Sequence, residues 1–175
     1  MKDDLSPVKI EFVNFGVSYR SEKAGSPPLS ALENVALKVY DKRILSVIGP
    51  SRSGKTSLLR SINRLNDLHA SFEHSGEIFI DGAPVYGGAD TDVTELRRKA
   101  GMVFARPVVL PLSIYENIAY GPRLMGRSSK SELDATVETA LKDAYLWEEV
   151  KDRLGSPAAA LSGGQRQRLC IARVL

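Results

Sequence analysis

Eight consecutive residues, Gly49-Pro50-Ser51-Arg52-Ser53-Gly54-Lys55-Thr56, fit the spacing G-x-x-x-x-G-K-[ST]. A chain of phosphates carries several negative charges, so a loop that holds one must turn backbone N–H groups toward it. Glycine lets the backbone come close. A helix opening at Gly54 would aim the positive end of its dipole at the same anion. Lys55 is spaced to reach the β- and γ-phosphates of ATP, and the Thr56 hydroxyl is spaced to ligate Mg²⁺. Ser57 completes the expected cradle. A second stretch, Leu161-Ser162-Gly163-Gly164-Gln165, also opens a helix. Ser162 is a favourable N-cap, and Gly163 and Gly164 leave N–H groups open at a helix N-terminus, so the same physics makes a second anion site. Taken alone, this stretch reads equally well as a plain loop. One nucleotide could use both sites only if they faced each other.

The elements around these residues follow from hydrophobic period. Val8 to Tyr19 and Ala31 to Val39 alternate and read as strands, separated by a loop containing Gly25, Pro27 and Pro28. Ile44 to Ile48 reads as a short apolar strand running straight into Gly49. After Lys55, the spacing of Leu58, Leu59, Ile62 and Leu65 predicts one apolar helix face, ending near Asn66-Asp67. Glu77 to Ile80 and Ala100 to Ala105 read as strands, with an Asp81-Gly82 turn after the first and a charged helix, Val93 to Lys99, before the second. Beyond Arg106 the character changes to helix and loop. Ser113 with Glu116, and Ser129 with Glu132, have capping-box spacing. Leu133, Val137, Leu141 and Tyr145 mark one face of the longer helix. Glu148-Glu149 reads as a solvated helix face, and Gly155 to Ala160 as a small-residue loop. The last helix starts around Gly164 and shows no stop signal before Leu175.

Composition narrows the partners. The 175 residues are 43% apolar and 26% charged, the balance of an ordinary globular chain. No run of about 18 apolar residues exists to span a bilayer, and Met-Lys-Asp-Asp at the start lacks the apolar core of a secretory signal. A cytoplasmic chain is expected. The single cysteine, Cys170, fits a reducing compartment and reads as a packing residue. The net charge of +3 is mild; its densest run, Arg97-Arg98-Lys99, reads as a solvated helix face, and no basic stripe with interleaved aromatics points to nucleic acid.

The two motifs together resemble the ATPases of ABC transporters, over essentially the whole chain. Further stretches are similar to the ATP-binding subunits of phosphate importers: LRSINRLNDL from Leu59, GMVFARP from Gly101, SIYENIAY from Ser113, VETALKDAYLWEEVKDRL from Val137, and LSGGQRQRLCIAR from Leu161. The resemblance implies an α/β P-loop core with a β-rich edge and an inserted helical subdomain. On this reading residues 1–107 form the nucleotide-binding core, 108–163 the helical subdomain ending in the signature motif, and 164–175 a signature helix returning to the core. It implies ATP and Mg²⁺ as ligands, with Gly49, Pro50, Ser51, Arg52, Ser53, Gly54, Lys55, Thr56 and Ser57 around the phosphates and Thr56 on the metal. Ser162, Gly163, Gly164 and Gln165 would act in trans, on ATP held by a second, head-to-tail copy. Tyr19 lies where the family stacks an aromatic ring on adenine; a tyrosine packed on the strand edge is the other reading. Two membrane permease subunits would dock near Arg106 to Tyr115 and hold the chain at the cytoplasmic face of the membrane.

Some features depart from the pattern. The family's glutamine that contacts Mg²⁺ and the attacking water is Ala105 here, and Arg106 beside it, always cationic, cannot replace a metal ligand. The family's Walker B carboxylates and switch histidine follow the signature helix, where this sequence stops, so a truncated cassette is expected and no catalytic residue is assigned. His69 and His74 precede the signature and read as surface-loop histidines. The family reading is a subunit coupling ATP hydrolysis to phosphate uptake. Its alternatives are import of another small solute, an ATP-binding module without turnover, and a soluble ATPase of DNA repair or translation; the last would want coiled-coil inserts or a second cassette, which are not seen.

Overall fold

The computed structural model describes residues 6–21, 23, 25–87, 91–127 and 129–175. Two compact units divide the chain, one up to Gly101 and one from Met102. The sequence reading set its boundary at Pro107 and returned residues 164–175 to the core.

In the first unit, strand β1 (Val8–Tyr19) pairs antiparallel with β2 (Leu29–Tyr40) on one side and with β3 (Phe72–Ile80) on the other; β4 (Ala83–Pro84) closes a tight hairpin with β3. Among the described residues the sheet order is β2-β1-β3-β4. An irregularity in β1 at Asn14, φ 47°, shifts the strand's alternation by one residue, so Phe12 before it and Phe15 and Val17 after it share the buried face, where they meet Ile78, Ile80, Val85 and Leu58. β3 starts at Phe72, earlier than Glu77, because His74 and Phe72 join an aromatic layer with Phe15 and Tyr86; the His74 and Tyr86 ring centroids are 4.1 Å apart. His74 is therefore a strand residue rather than a loop residue, and burial among these rings lowers its pKa below the usual histidine value. His69 follows a 3-10 turn, Leu65–Leu68, and is exposed, as expected of a surface histidine.

Two expected strands are absent. Residues 44–48 and 100–105 form no ladder with any described residue, and Ile44 and Ile48 are 97% and 91% exposed. The ladders that form are antiparallel: β1 with β2, close in sequence, and β1 with β3, which pairs Tyr19 with Phe72 across β2 and α1. An apolar strand of a parallel sheet instead needs partners on both sides, supplied from distant sequence. Here neither segment joins a sheet among the described residues.

Helix α1 (Lys55–Ile62) follows the glycine-rich loop, and α2 (Val93–Lys99) closes the unit. α1 stops at Ile62, short of Asn66, because Asn63 leaves helical geometry and Arg64 takes a left-handed conformation with φ 57°. Leu58 is buried while Leu59 points outward, so the apolar face is narrower than its spacing predicts.

The second unit is helical: α3 (Ile114–Leu124), α4 (Lys130–Asp143), α5 (Trp147–Val150) and α6 (Gly163–Ala172). Its core joins Ile114, Ile118, Leu133, Val137, Leu141, Leu146 and Leu169. α6 buries Leu169, Cys170 and Ala172 within this unit, which agrees with a packing role for Cys170. It ends at Ala172, not beyond Leu175. Tyr145 is not on the buried face of α4. The helix ends first, and Tyr145, with φ 53°, turns outward while Leu146 is buried in its place. Ser113 accepts the Glu116 N–H at 3.1 Å, but the Glu116 carboxylate pairs with Arg123, so only half of a capping box forms. Ser129 caps nothing; its hydroxyl pairs with that of Ser131 at 3.0 Å.

Candidate functional site

The glycine-rich loop is built around Lys55. Its ammonium donates to the carbonyls of Gly49 at 2.8 Å and Pro50 at 2.6 Å, and to the Ser53 hydroxyl at 3.3 Å. Three neutral acceptors thus ring one cation at the mouth of α1, and a phosphate oxygen, being charged, is the stronger partner for the same three protons. Ser51 and Arg52 form the exposed outer arc, with Arg52 left-handed at φ 67°. The Ser53 N–H closes the inner turn on the Pro50 carbonyl at 3.4 Å.

Gly54 is the N-cap of α1 and offers no side chain to the first-turn N–H groups, which stay open to an anion. Its backbone is left-handed, φ 82°, and a Cβ there would run into the Ala31 carbonyl oxygen and lie 2.7 Å from a Leu32 methyl. β2 thus passes directly behind the loop and fixes where α1 begins.

Thr56 is exposed, and its hydroxyl makes no hydrogen bond among the described residues. A free hydroxyl beside Lys55 at a helix N-terminus is the kind of oxygen that could serve as a ligand for a hard cation such as Mg²⁺. No group of three or more His, Cys, Asp or Glu converges as a metal cage among the described residues.

Behind the loop lies a polar network that motif reading missed. Asn66, fully buried, donates to the Ser57 carbonyl at 2.8 Å and to the Ser61 hydroxyl at 2.9 Å. Its carbonyl accepts from the Tyr19 hydroxyl at 3.5 Å, and that hydroxyl also lies 3.2 Å from the Ser57 hydroxyl. Ser57 and Tyr19 are thus brought together behind α1, and the Tyr19 ring stands edge-on to His69 and tilted against Phe72. The helix-to-strand connection from Asn63 to Ser71 is polar at most positions, so nothing in it set Asn66 apart.

In the second unit, Ser162 caps α6 with a complete capping box. Its hydroxyl accepts the Gln165 N–H at 3.3 Å, and the Gln165 side-chain carbonyl accepts the Ser162 N–H at 3.0 Å. Gly163 and Gly164 occupy the first turn with nothing within 4 Å of where a Cβ would be. Two other residues escaped the sequence reading. Glu149, expected to be merely solvated, accepts from Gln165 at 2.8 Å and from Arg168 at 2.7 Å. The Gln165 hydrogen bond, then Arg168, holds its carboxyl below the usual range. Gln167 donates to the Phe104 carbonyl at 3.2 Å, next to Ala105, so α6 anchors the segment in which the expected glutamine is missing.

The motifs and this architecture have relatives. The profile of the ABC transporter family matches residues 32–175. The phosphate import ATP-binding protein PstB of Thermotoga maritima is 49% identical over 171 residues, covering 98% of this chain and 64% of that protein. The chain therefore spans 64% of the length of this curated relative. Among solved structures, the dimeric bacterial ABC transporter cassette MJ0796 superposes with a TM-score of 0.78 at 31% identity, over 95% of this chain and 68% of that one. A cbiO1 structure from Clostridium perfringens, part of the transporter complex cbiONQ, shares the fold with a TM-score of 0.73 at 22% identity, over 95% and 61% of the two chains. The α/β P-loop ATPase fold agrees with the sequence reading, and the chain belongs to the ABC transporter family.

Proposed function

We propose that this chain is the ATP-binding part of an importer that couples ATP hydrolysis to uptake of inorganic phosphate. The 49% identity to a phosphate import ATP-binding protein over 98% of the chain carries this reading. The loop geometry supports the binding half of it. Lys55 would exchange the Gly49 and Pro50 carbonyls for β- and γ-phosphate oxygens. The N–H groups from Ser51 to Ser57 would line the phosphates, and Thr56 would hold Mg²⁺, which when bound neutralises charge between them. Tyr19, on the strand end beside Ser57, would face the base. Hydrolysis joins a water oxygen to the γ-phosphorus and breaks its bond to the bridging oxygen, releasing ADP and phosphate. The last carboxylate in these residues is Asp152, so the groups that activate water in the family are not assigned to any residue here.

Ser162, Gly163, Gly164 and Gln165 would cover the ATP of a second copy in a head-to-tail pair, in keeping with the dimeric form of MJ0796. Two permease subunits would dock near Arg106 to Tyr115, holding the chain peripherally at the cytoplasmic face. Among the described residues no helix is long and apolar enough to cross a membrane. The domain limits at 107 and 163 remain part of this proposal. Ala105 favours a second reading: ATP binding without turnover, since a methyl group contacts neither Mg²⁺ nor water.

The test is complementation. In a strain lacking its own phosphate-import ATPase but keeping the permease, this chain joined to a downstream segment that carries the family's water-activating carboxylates should restore uptake of labelled phosphate and leave sulfate uptake unchanged, while the 175 residues alone should not. Restored uptake of another solute, with none of phosphate, would contradict the assignment of the transported ion.

A further inference from the structure

Gln165 has two jobs that pull its amide in one direction. Its carbonyl oxygen must face the Ser162 N–H, 3.0 Å away, to complete the capping box. A side-chain amide has nearly the same shape when flipped, and flipped it would set an NH₂ against that N–H, donor to donor. Something must distinguish its two ends. Glu149 does so: an ionised carboxylate only accepts, and it takes the Gln165 Nε2 at 2.8 Å. Its other oxygen takes Arg168 at 2.7 Å, and Arg168 donates in turn to the Tyr145 carbonyl at 2.5 Å. The result is one ordered line of hydrogen bonds: Tyr145 carbonyl, Arg168, Glu149, Gln165, Ser162. It starts at the end of α4, passes through α5 and finishes at the first N–H of the signature turn.

We infer that Glu149 is a positioning residue that fixes the orientation of the Gln165 amide and so presents the Ser162–Gly164 turn to the γ-phosphate of a second copy's ATP. The inference rests on the reading that the signature acts in trans. The low-lying carboxyl titration supports it, because an acceptor that stays ionised keeps its sense across the working pH range. Neither the glycine-rich loop nor the signature motif includes Glu149; it lies 16 residues before Gln165 and reaches it only through the fold.

Sedimentation of the full chain with and without ATP, beside ATP titration of the single chain, tests this. The unsubstituted chain should pair on addition of ATP, and Ser162→Arg should abolish pairing. Glu149→Ala should weaken ATP-driven pairing about tenfold, the worth of a charge-assisted hydrogen bond, with ATP affinity of the single chain unchanged. A residue acting only through Gln165 has no effect once Gln165 is gone, so Glu149→Ala should add nothing to Gln165→Ala. Undiminished pairing of Glu149→Ala, additive losses in the double variant, or lost ATP affinity in Glu149→Ala would overturn the inference. Absence of ATP-driven pairing in the unsubstituted chain would instead sink the trans reading, and the Glu149 assignment with it.

Discussion

Gly54 carries three constraints at one position. It sits at φ 82°, its missing side chain leaves room for the Ala31 carbonyl and the Leu32 methyl, and it opens the helix whose first-turn N–H groups are open to an anion. A left-handed conformation costs an L-residue about 1–2 kcal/mol before any clash is counted. Gly54→Ala should therefore lower stability by about 2 kcal/mol or more, read as a lower urea midpoint at unchanged slope, and should displace the loop enough to abolish ATP binding. A variant of full stability would mean that β2 yields and does not fix the loop. The spacing of glycine, lysine and threonine made this site legible in sequence, because each residue meets its need through local backbone geometry. Asn66 and Glu149 were not legible. Their partners, Ser57 and Ser61 for one and Gln165 and Arg168 for the other, are set by how elements pack, and the stretches that contain the two residues mark kinship without assigning either a role.

The junction of α4 and α5 shows the same limit for an element. The Leu146 N–H bonds the Leu141 carbonyl at 2.8 Å and the Tyr145 N–H bonds the Lys142 carbonyl at 2.9 Å, the paired bonds of a Schellman ending, with Leu141 and Leu146 both fully buried. This ending wants glycine in the left-handed position, and the sequence places Tyr145 there, 86% exposed. Helical spacing alone counted Tyr145 onto the apolar face because no glycine announced the stop. Tyr145→Gly should stabilise the helical unit by about 0.5 kcal/mol, the relief of left-handed strain offset in part by the greater freedom of glycine when unfolded. A thermal melt checks the sign, and a lower melting temperature would show that the exposed ring contributes packing. Elements were legible where the residues themselves mark them: β1, α2 and the start of α3 follow from alternation, charge and capping. Ile44–Ile48 and the segment before Ala105 follow a strand pattern in composition only, since their ladders depend on non-local partners.

For the whole molecule, the fold and the family were legible because the two motifs and the stretches between them span the chain. The conformation of the segment around Ala105 was not, since it depends on α6 holding the Phe104 carbonyl through Gln167. With the water-activating carboxylates of the family supplied downstream, Ala105→Gln should raise ATP turnover, because a side-chain carbonyl beside Mg²⁺ would help to place the nucleophile. Phosphate release at equal protein concentration decides this, and an unchanged rate would show that the position is compensated elsewhere. The central claim is that these residues bind nucleotide phosphates through Lys55. Titration calorimetry with Mg·ATP on the unsubstituted chain and on Lys55→Ala tests it most directly. Saturable binding that weakens at least about tenfold in Lys55→Ala is the predicted result, from the loss of several charge-assisted contacts; equal affinity in the two forms would contradict it.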